Sequence, residues 1–307
     1  MFIEKKYSGI TVPVVTPVDK NENVDEESYR KVIEHCILGG VHGIFAAGTL
    51  GETMALTQSE RDRAIRIAAD QAKNRVKVFG GVMDTSVRRV VENIKRIEDS
   101  GVDAVVITPV FYDRHTSQGE IIRLFEAAAK ATKLDILAYN IPTFVIEKIE
   151  PATVVELSGI DNVKGYKDSA AVFNDTVKVL DALAGDPDFS VLSGTPVQYI
   201  GSAILGCDGC VPSMASVFPK VFRYAYDVTK AGDTEGMKKA NGYILKAGSI
   251  YGGAKNGTAA VKYAVSKLGL CRPDVISPAD PVSVAEAKVI DERLAACEKL
   301  FGKAGLL

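Results

Sequence analysis

The sequence predicts an α/β protein, a (β/α)8 TIM barrel with a C-terminal helical extension, from three observations. Short β-branched or apolar runs alternate with amphipathic stretches over most of the chain, which is the pattern of βαβ units. The units recur about every 30 residues, the length of one such unit. Eight of them end near Ala231, and a closed barrel accounts for eight strands more economically than an open doubly wound sheet.

Each strand is predicted from a short run bounded by Gly, Pro or polar residues. The helices between them have apolar residues at helical spacing and include Glu26–Leu38, Gln58–Ala72, Val87–Asp99, Gly119–Ala131 and Phe173–Leu183. The predicted strands are Ile10–Val15, Gly43–Ala47, Val76–Gly81, Ala104–Thr108, Ile136–Tyr139, Val163–Lys167, Val191–Ser193 and Gly209–Val211.

The last quarter of the chain differs, because the strand signals stop after Gly232. Three helical patterns follow, at about Thr234–Tyr251, Thr258–Leu268 and Val282–Leu300. We therefore predict a catalytic barrel over residues 1–231 and a helical extension over 232–307, which packs on the barrel's outer helices or on a partner subunit.

The composition is typical of a globular protein, with 47% hydrophobic and 25% charged residues. A net charge of -2 supplies no field for nucleic acid or anionic lipid. The amino terminus lacks the apolar core of a signal peptide, and no apolar run approaches the ~20 residues that span a bilayer. Since the five cysteines are too few for a disulfide framework, we expect a cytoplasmic protein that binds neither nucleic acid nor membrane.

The chemistry of such a barrel lies at the carboxyl ends of its strands and in the loops that follow. The fifth strand ends in Tyr139-Asn140-Ile141-Pro142 and the sixth in Tyr166-Lys167-Asp168. Side chains alternate along a strand, so Lys167 shares a face with Gly165 and enters the barrel mouth if that face points inward. Parallel strands lie about 4.8 Å apart, so Tyr139 and Lys167 are predicted to approach one small substrate.

Burial disfavours the ammonium form of a lysine, and a neutral amine attacks a ketone to form a Schiff base. Lys167 is the predicted nucleophile, Tyr139 carries protons at the reacting oxygen and Thr49 relays them. Thr49 lies in the turn Gly48–Glu52, where two glycines let backbone N–H groups converge on a carboxylate. From the pattern alone, a solvated or salt-bridged Lys167 beside Asp168 and an ordinary glycine turn remain as alternatives.

No metal or cofactor is predicted. Cys207 and Cys210 have C-x-x-C spacing without a second ligand pair, so two buried thiols are the favoured interpretation. The three histidines do not supply the cluster that a metal-dependent aldolase needs. Only His115 is placed at the catalytic end, and it is predicted to lie in a solvated loop.

Three motifs taken together resemble the dihydrodipicolinate synthase and N-acetylneuraminate lyase family. They are Gly48-Thr49-Leu50-Gly51-Glu52, Tyr139-Asn140-Ile141-Pro142 and Gly165-Tyr166-Lys167-Asp168, and they follow the family's order and spacing. The resemblance covers nearly the whole chain, from the opening strand to Gly209-Cys210-Val211-Pro212. It implies a class I aldolase or lyase in which Lys167 forms an imine with pyruvate or another 2-oxo acid, without a metal.

The resemblance also implies roles for individual residues. Tyr139 becomes the general acid/base and Thr49 its relay partner. The backbone of Gly48, Thr49 and Leu50 receives the substrate carboxylate, and Val211 lines the carboxylate pocket. An aldehyde is implied as the other small-molecule substrate, and a homotetramer as the assembly.

The sequence departs from the family pattern at three places. Leu50 stands where relatives commonly have a second hydroxyl, and Phe144 where the authentic synthase has an arginine that binds the aldehyde substrate's carboxylate. Phe111 stands at a family tyrosine, with Tyr112 adjacent as a candidate substitute. These differences predict a less acidic or more apolar second substrate. The alternatives are the synthase proper, a 2-oxo sugar acid dehydratase and a binding barrel without catalysis.

Overall fold

The structure is a computed structural model that describes residues 5–113 and 117–307. Its eight strands follow one another around a closed barrel, so the predicted fold class is confirmed. Each observed strand lies within two residues of its predicted bounds. The strands are β1 (Gly9–Pro13), β2 (Gly43–Ala46), β3 (Lys77–Gly81), β4 (Ala104–Ile107), β5 (Asp135–Asn140), β6 (Val163–Asp168), β7 (Ser190–Ser193) and β8 (Gly209–Cys210).

The strands are parallel wherever their register is described. Every residue of β1, β2, β4 and β7 is buried. Parallel strands are buried on both faces, which is why they read in the sequence as nearly continuous apolar runs and not as alternating ones.

Polar caps determine where several helices begin. Asp25, Thr57 and Asp233 each accept a hydrogen bond from a backbone N–H of the first turn, which satisfies a donor that has no partner within the helix. The helices are α1 (Glu26–Leu38), α2 (Gln58–Ala72), α3 (Val87–Ile97), α4 (Gln118–Ala131), α5 (Pro142–Val145), α6 (Pro151–Ser158), α7 (Phe173–Ala182), α8 (Tyr199–Ile204), α9 (Pro219–Lys230), α10 (Thr234–Tyr251), α11 (Gly257–Lys267) and α12 (Val284–Lys303).

The three predicted C-terminal helices are present as α10, α11 and α12, with ends shifted by at most three residues. A capping box between Ser283 and Glu286 sets the start of α12. No helix among the described residues is long and apolar enough to cross a membrane.

The chain divides into two compact units. One contains the residues up to Gly9 and Phe79–Val211, and therefore β4 to β8. The other contains Ile10–Val78 and Pro212–Leu307, and therefore β2, α1, α2 and α9 to α12. The boundary predicted between residues 231 and 232 follows the end of the strand signals, and it stays a prediction about domain organisation.

A buried carboxylate fixes the loop between β3 and α3. Asp84 is 5% exposed and accepts hydrogen bonds from the Thr85 N–H at 2.8 Å, the Asn93 amide at 3.0 Å and the Arg89 guanidinium at 2.5 Å. Burial by itself would raise the pKa of Asp84, but these donors outweigh burial and hold the pKa at about 2. The charged form of Asp84 therefore stabilises the folded state.

Because the folded pKa lies below the unfolded value, this stabilisation is complete above about pH 4 and is lost as the pH falls towards 2. We expect Asp84→Asn to lower the free energy of unfolding at pH 7 by about 1–2 kcal/mol, allowing for the exposed Arg89 partner. The difference from wild type should shrink as the pH falls from 4 to 2. Urea unfolding at pH 7, 4 and 3 measures this. Glu92→Gln, which breaks an exposed pair with Arg88, is the control that should change little.

Candidate active site

The carboxyl ends of β5 and β6 bring the two predicted reactive groups together. Tyr139 pairs with Lys167 in the strand register, and Asn140 pairs with Asp168. The Lys167 Nζ lies 3.7 Å from the centroid of the Tyr139 ring. Both side chains are buried, with 3% of Tyr139 and 6% of Lys167 exposed. The sequence alternative of a solvated Lys167 is therefore wrong.

An amine held this close to an aromatic face is stabilised by the ring's quadrupole while it is charged. In its neutral form an amine is a nucleophile that attacks the carbonyl carbon of a ketone. The Tyr139 phenol, which pairs with Lys167 in the strand register, is a group that can accept and donate a proton. The pair can therefore attack a carbonyl carbon and exchange protons with the product of that attack.

The opposite face of the same strand pair carries a buried polar network centred on Asn140. The Asn140 amide nitrogen donates to the Tyr166 hydroxyl at 2.9 Å and to an Asp168 carboxylate oxygen at 3.0 Å. The amide oxygen accepts from the Ile149 N–H at 3.1 Å. Asn140 therefore joins β5 to the residues on either side of Lys167 and to the segment before α6.

Asp168 continues this network towards the helices. Its carboxylate accepts from the Thr176 hydroxyl of α7 at 2.8 Å and from the Ala170 N–H at 3.0 Å. Burial, and next the charge of Asp168, raise the pKa of the Tyr166 phenol well above its usual value, so Tyr166 stays protonated. Since this face meets α7, side-chain alternation directs Tyr139 and Lys167 to the other face, the interior of the barrel.

The predicted glycine turn follows β2 and belongs to the other compact unit. Ala47 and Glu52 have left-handed backbone conformations, with φ of 51° and 56°. A Cβ on Gly48 would lie 2.8 Å from the ring of Phe45, so only glycine fits there. The start of the turn is thus packed closely against an aromatic side chain.

Hydrogen bonds fix the interior of this turn. The Thr49 carbonyl accepts from the Glu52 N–H at 3.1 Å, and the Thr16 hydroxyl donates to the Gly51 carbonyl at 2.9 Å. Thr49 is half-buried and Leu50 is buried. The predicted relay and carboxylate-binding roles of this turn stay predictions.

At the end of β8, Val211 is buried and its N–H donates to the Ser193 carbonyl at 2.8 Å. Cys207 and Cys210 are free and buried, as the sequence predicted. Burial raises the pKa of Cys207 to about 11 and that of Cys210 well above its usual value, so both remain thiols. Within residues 5–113 and 117–307, no group of three His, Cys, Asp or Glu side chains is placed to hold a metal ion.

Two of the predicted substrate-binding residues lie at the surface. Phe144 in α5 is 62% exposed, and Tyr112 is 94% exposed. Tyr112 is not packed within the described chain, whereas its neighbour Phe111 is half-buried. Their roles stay predictions, and His115 lies outside the described residues.

A barrel with a buried lysine and tyrosine side by side at adjacent strand ends defines an enzyme of the class I aldolase type, a lyase. Comparison with known proteins agrees. The model of the dihydrodipicolinate synthetase family matches residues 6–296. The chain belongs to this family, and the resemblance inferred from its motifs is confirmed.

Individual relatives cover almost the whole chain. The 4-hydroxy-tetrahydrodipicolinate synthase of Bartonella henselae is 30% identical over 93% of this chain and 96% of its own. The dihydrodipicolinate synthase of Bacteroides thetaiotaomicron has a TM-score of 0.90 at 31% identity, covering 95% of this chain and 99% of that one. The chloride-inhibited Acinetobacter baumannii synthase, solved with pyruvate, has a TM-score of 0.88 at 28% identity over 98% and 99% of the two chains.

Asn140→Ala removes the side-chain hydrogen bonds that Asn140 makes across the ends of β5 and β6. It leaves their buried partners unsatisfied. We expect it to lower the free energy of unfolding by about 2–3 kcal/mol. We also expect Lys167 to react several-fold faster with an amine-labelling reagent, because its strand end loosens. Chemical denaturation and peptide mass spectrometry measure the two effects.

Asn162→Ala is the matched control. Asn162 also makes three side-chain hydrogen bonds, all of them donated to backbone carbonyl oxygens, but it precedes β6 at the amino end of the strand. Its loss should destabilise the protein without changing the labelling of Lys167. Equal labelling rates in the two variants would contradict the role given to Asn140.

Proposed function

We propose that this protein is a Schiff-base-forming aldolase or lyase that acts on pyruvate or a related 2-oxo acid through an imine on Lys167. The observation that carries the proposal is the buried Lys167 amine 3.7 Å from the Tyr139 ring centroid, at the paired ends of β5 and β6. Membership of the family favours catalysis over the binding-only barrel. The relative solved with pyruvate supports the substrate class.

The reaction begins when the Lys167 nitrogen attacks the keto carbon and gives a carbinolamine. Loss of water leaves a protonated imine, whose positive nitrogen accepts the electron pair of an adjacent C–H or C–C bond. Loss of a proton from the methyl carbon yields an enamine, which adds to the carbonyl carbon of an aldehyde. Hydrolysis of the new imine releases the product and restores the amine. The same steps in reverse cleave the C–C bond.

Tyr139 is the proposed proton carrier for these steps. It accepts the proton released as the amine adds and returns a proton to the departing hydroxyl, so that water leaves. Thr49 is proposed to relay protons to Tyr139. We assign the substrate carboxylate to the backbone of Gly48, Thr49 and Leu50, with Val211 lining its pocket. The packing of Gly48 against Phe45 and the hydrogen bonds within the turn support this assignment, because a preformed turn binds an anion without reordering.

The second substrate is proposed to be an aldehyde that is less acidic or more apolar than that of the synthase. Phe144, which replaces the synthase arginine, offers a benzyl group and no cation. The names of the relatives favour the synthase reaction itself, and a dehydratase acting on a 2-oxo sugar acid would use the same imine. We further propose a cytoplasmic homotetramer, in keeping with the chain's charge and cysteine content and with the family resemblance.

Borohydride reduction in the presence of pyruvate tests the imine. We expect one reduced pyruvyl adduct per chain, located on Lys167 by peptide mass spectrometry, because borohydride reduces the C=N bond to a stable amine. Lys167→Ala should abolish the adduct. Lys164→Ala, which removes a half-buried lysine of the same strand, should leave it intact. An unmodified Lys167 under conditions that trap a known family member rules the mechanism out.

A coupled assay with pyruvate and aspartate semialdehyde separates the proposed function from the synthase. We expect turnover at least about 100-fold below that of a synthase relative, because Phe144 cannot pair with the aldehyde's carboxylate. Phe144→Arg should raise this activity, and Phe144→Leu is its uncharged control. Turnover by the wild-type protein at the level of a synthase would instead identify the synthase reaction.

A further inference from the structure

The most deeply buried charged side chain that the structure describes lies in the C-terminal helices. Lys262 is 0% exposed and sits in α11 among the buried residues Val261, Ala264 and Val265. Its Nζ lies 2.5 Å from a carboxylate oxygen of Glu52. The two residues are 210 positions apart in the chain and belong to the same compact unit.

Glu52 ends the glycine turn, and its side chain is held from two sides. One carboxylate oxygen binds Lys262, and the other accepts from the Ile276 N–H at 2.8 Å. Its backbone has the left-handed conformation that disfavours residues with a Cβ, while its N–H donates to the Thr49 carbonyl. The bonds of the Glu52 side chain to Lys262 and Ile276 therefore hold Glu52 in a backbone conformation that residues with a Cβ disfavour.

Stability alone does not account for this ion pair. Taking two charges out of water costs about as much as their attraction returns, and well-packed apolar residues of similar volume are often at least as stable. A buried pair does fix geometry, because either charge without its partner is strongly disfavoured. Lys262 and Glu52 thus permit one arrangement of the turn that contains Thr49 and Leu50.

We infer that Lys262 and Glu52 are positioning residues for the substrate carboxylate. Lys262 holds the Glu52 carboxylate, Glu52 holds the end of the turn, and the turn presents its backbone to the anion. The inference rests on the proposed function, and it makes α11 a structural support of substrate binding. Neither residue touches the reacting atoms in this account.

The test compares pyruvate-dependent borohydride trapping in the full-length variants. Lys262→Met should raise the pyruvate concentration for half-maximal trapping by about tenfold, with the maximal rate within about twofold of wild type. Loss of binding that is equal in the ground and transition states changes affinity and not maximal rate. Lys267→Met is the matched control, because Lys267 lies on the same helix in an exposed pair with Asp291, and it should trap like wild type.

The double variant Glu52→Gln/Lys262→Met separates positioning from stability. Removing both charges should restore the melting temperature that the single variant loses, but it should leave the affinity for pyruvate low. If Lys262→Met does not fold, the pyruvate concentration for half-maximal trapping in the double variant tests the inference on its own. Half-maximal trapping at the wild-type pyruvate concentration in the double variant would overturn the inference while leaving the proposed function in place. Wild-type protein that traps no pyruvate would instead reject the proposed function.

Discussion

The register between β5 and β6 is the constraint on which the site depends. It places Tyr139 opposite Lys167, and a slip of either strand by one residue would turn that strand's side chain to the other face and separate the pair. Asn140 secures that register from the helix side through Tyr166, Asp168 and Ile149. The face of the strand pair that carries Tyr139 and Lys167 is therefore fixed by polar contacts on the opposite face.

The chain buries two lysines in different ways, and the difference suits their proposed tasks. Lys167 lies against the Tyr139 ring, which attracts a cation without carrying a charge of its own. Lys262 lies against the Glu52 carboxylate, and this ion pair holds its side chain in one position. A nucleophile has to give up its charge to react, whereas a structural cation has to keep it.

Part of the site could be predicted from the sequence, because its groups follow directly after recognisable strands. Tyr139 and Lys167 end consecutive strands, and consecutive strands of a barrel are neighbours. Asn140 and Asp168 belong to the same motifs, but the sequence pattern does not indicate their roles, since hydrogen-bond partners are set by side-chain geometry and not by spacing. Glu52 likewise belonged to a motif, whereas its partner Lys262 lies in a segment predicted only as helix.

The sequence by itself determined the order of strands and helices, the class of barrel and the neighbouring positions of the Lys167 amine and the Tyr139 phenol. These follow from local periodicity and from the rule that parallel strands align their carboxyl ends. Only the tertiary structure decided that Lys167 is buried, that Asn140 bridges two strands and that Lys262 pairs with Glu52. Such contacts join residues far apart in the chain, and their energies depend on burial and distance, which a one-dimensional pattern does not contain.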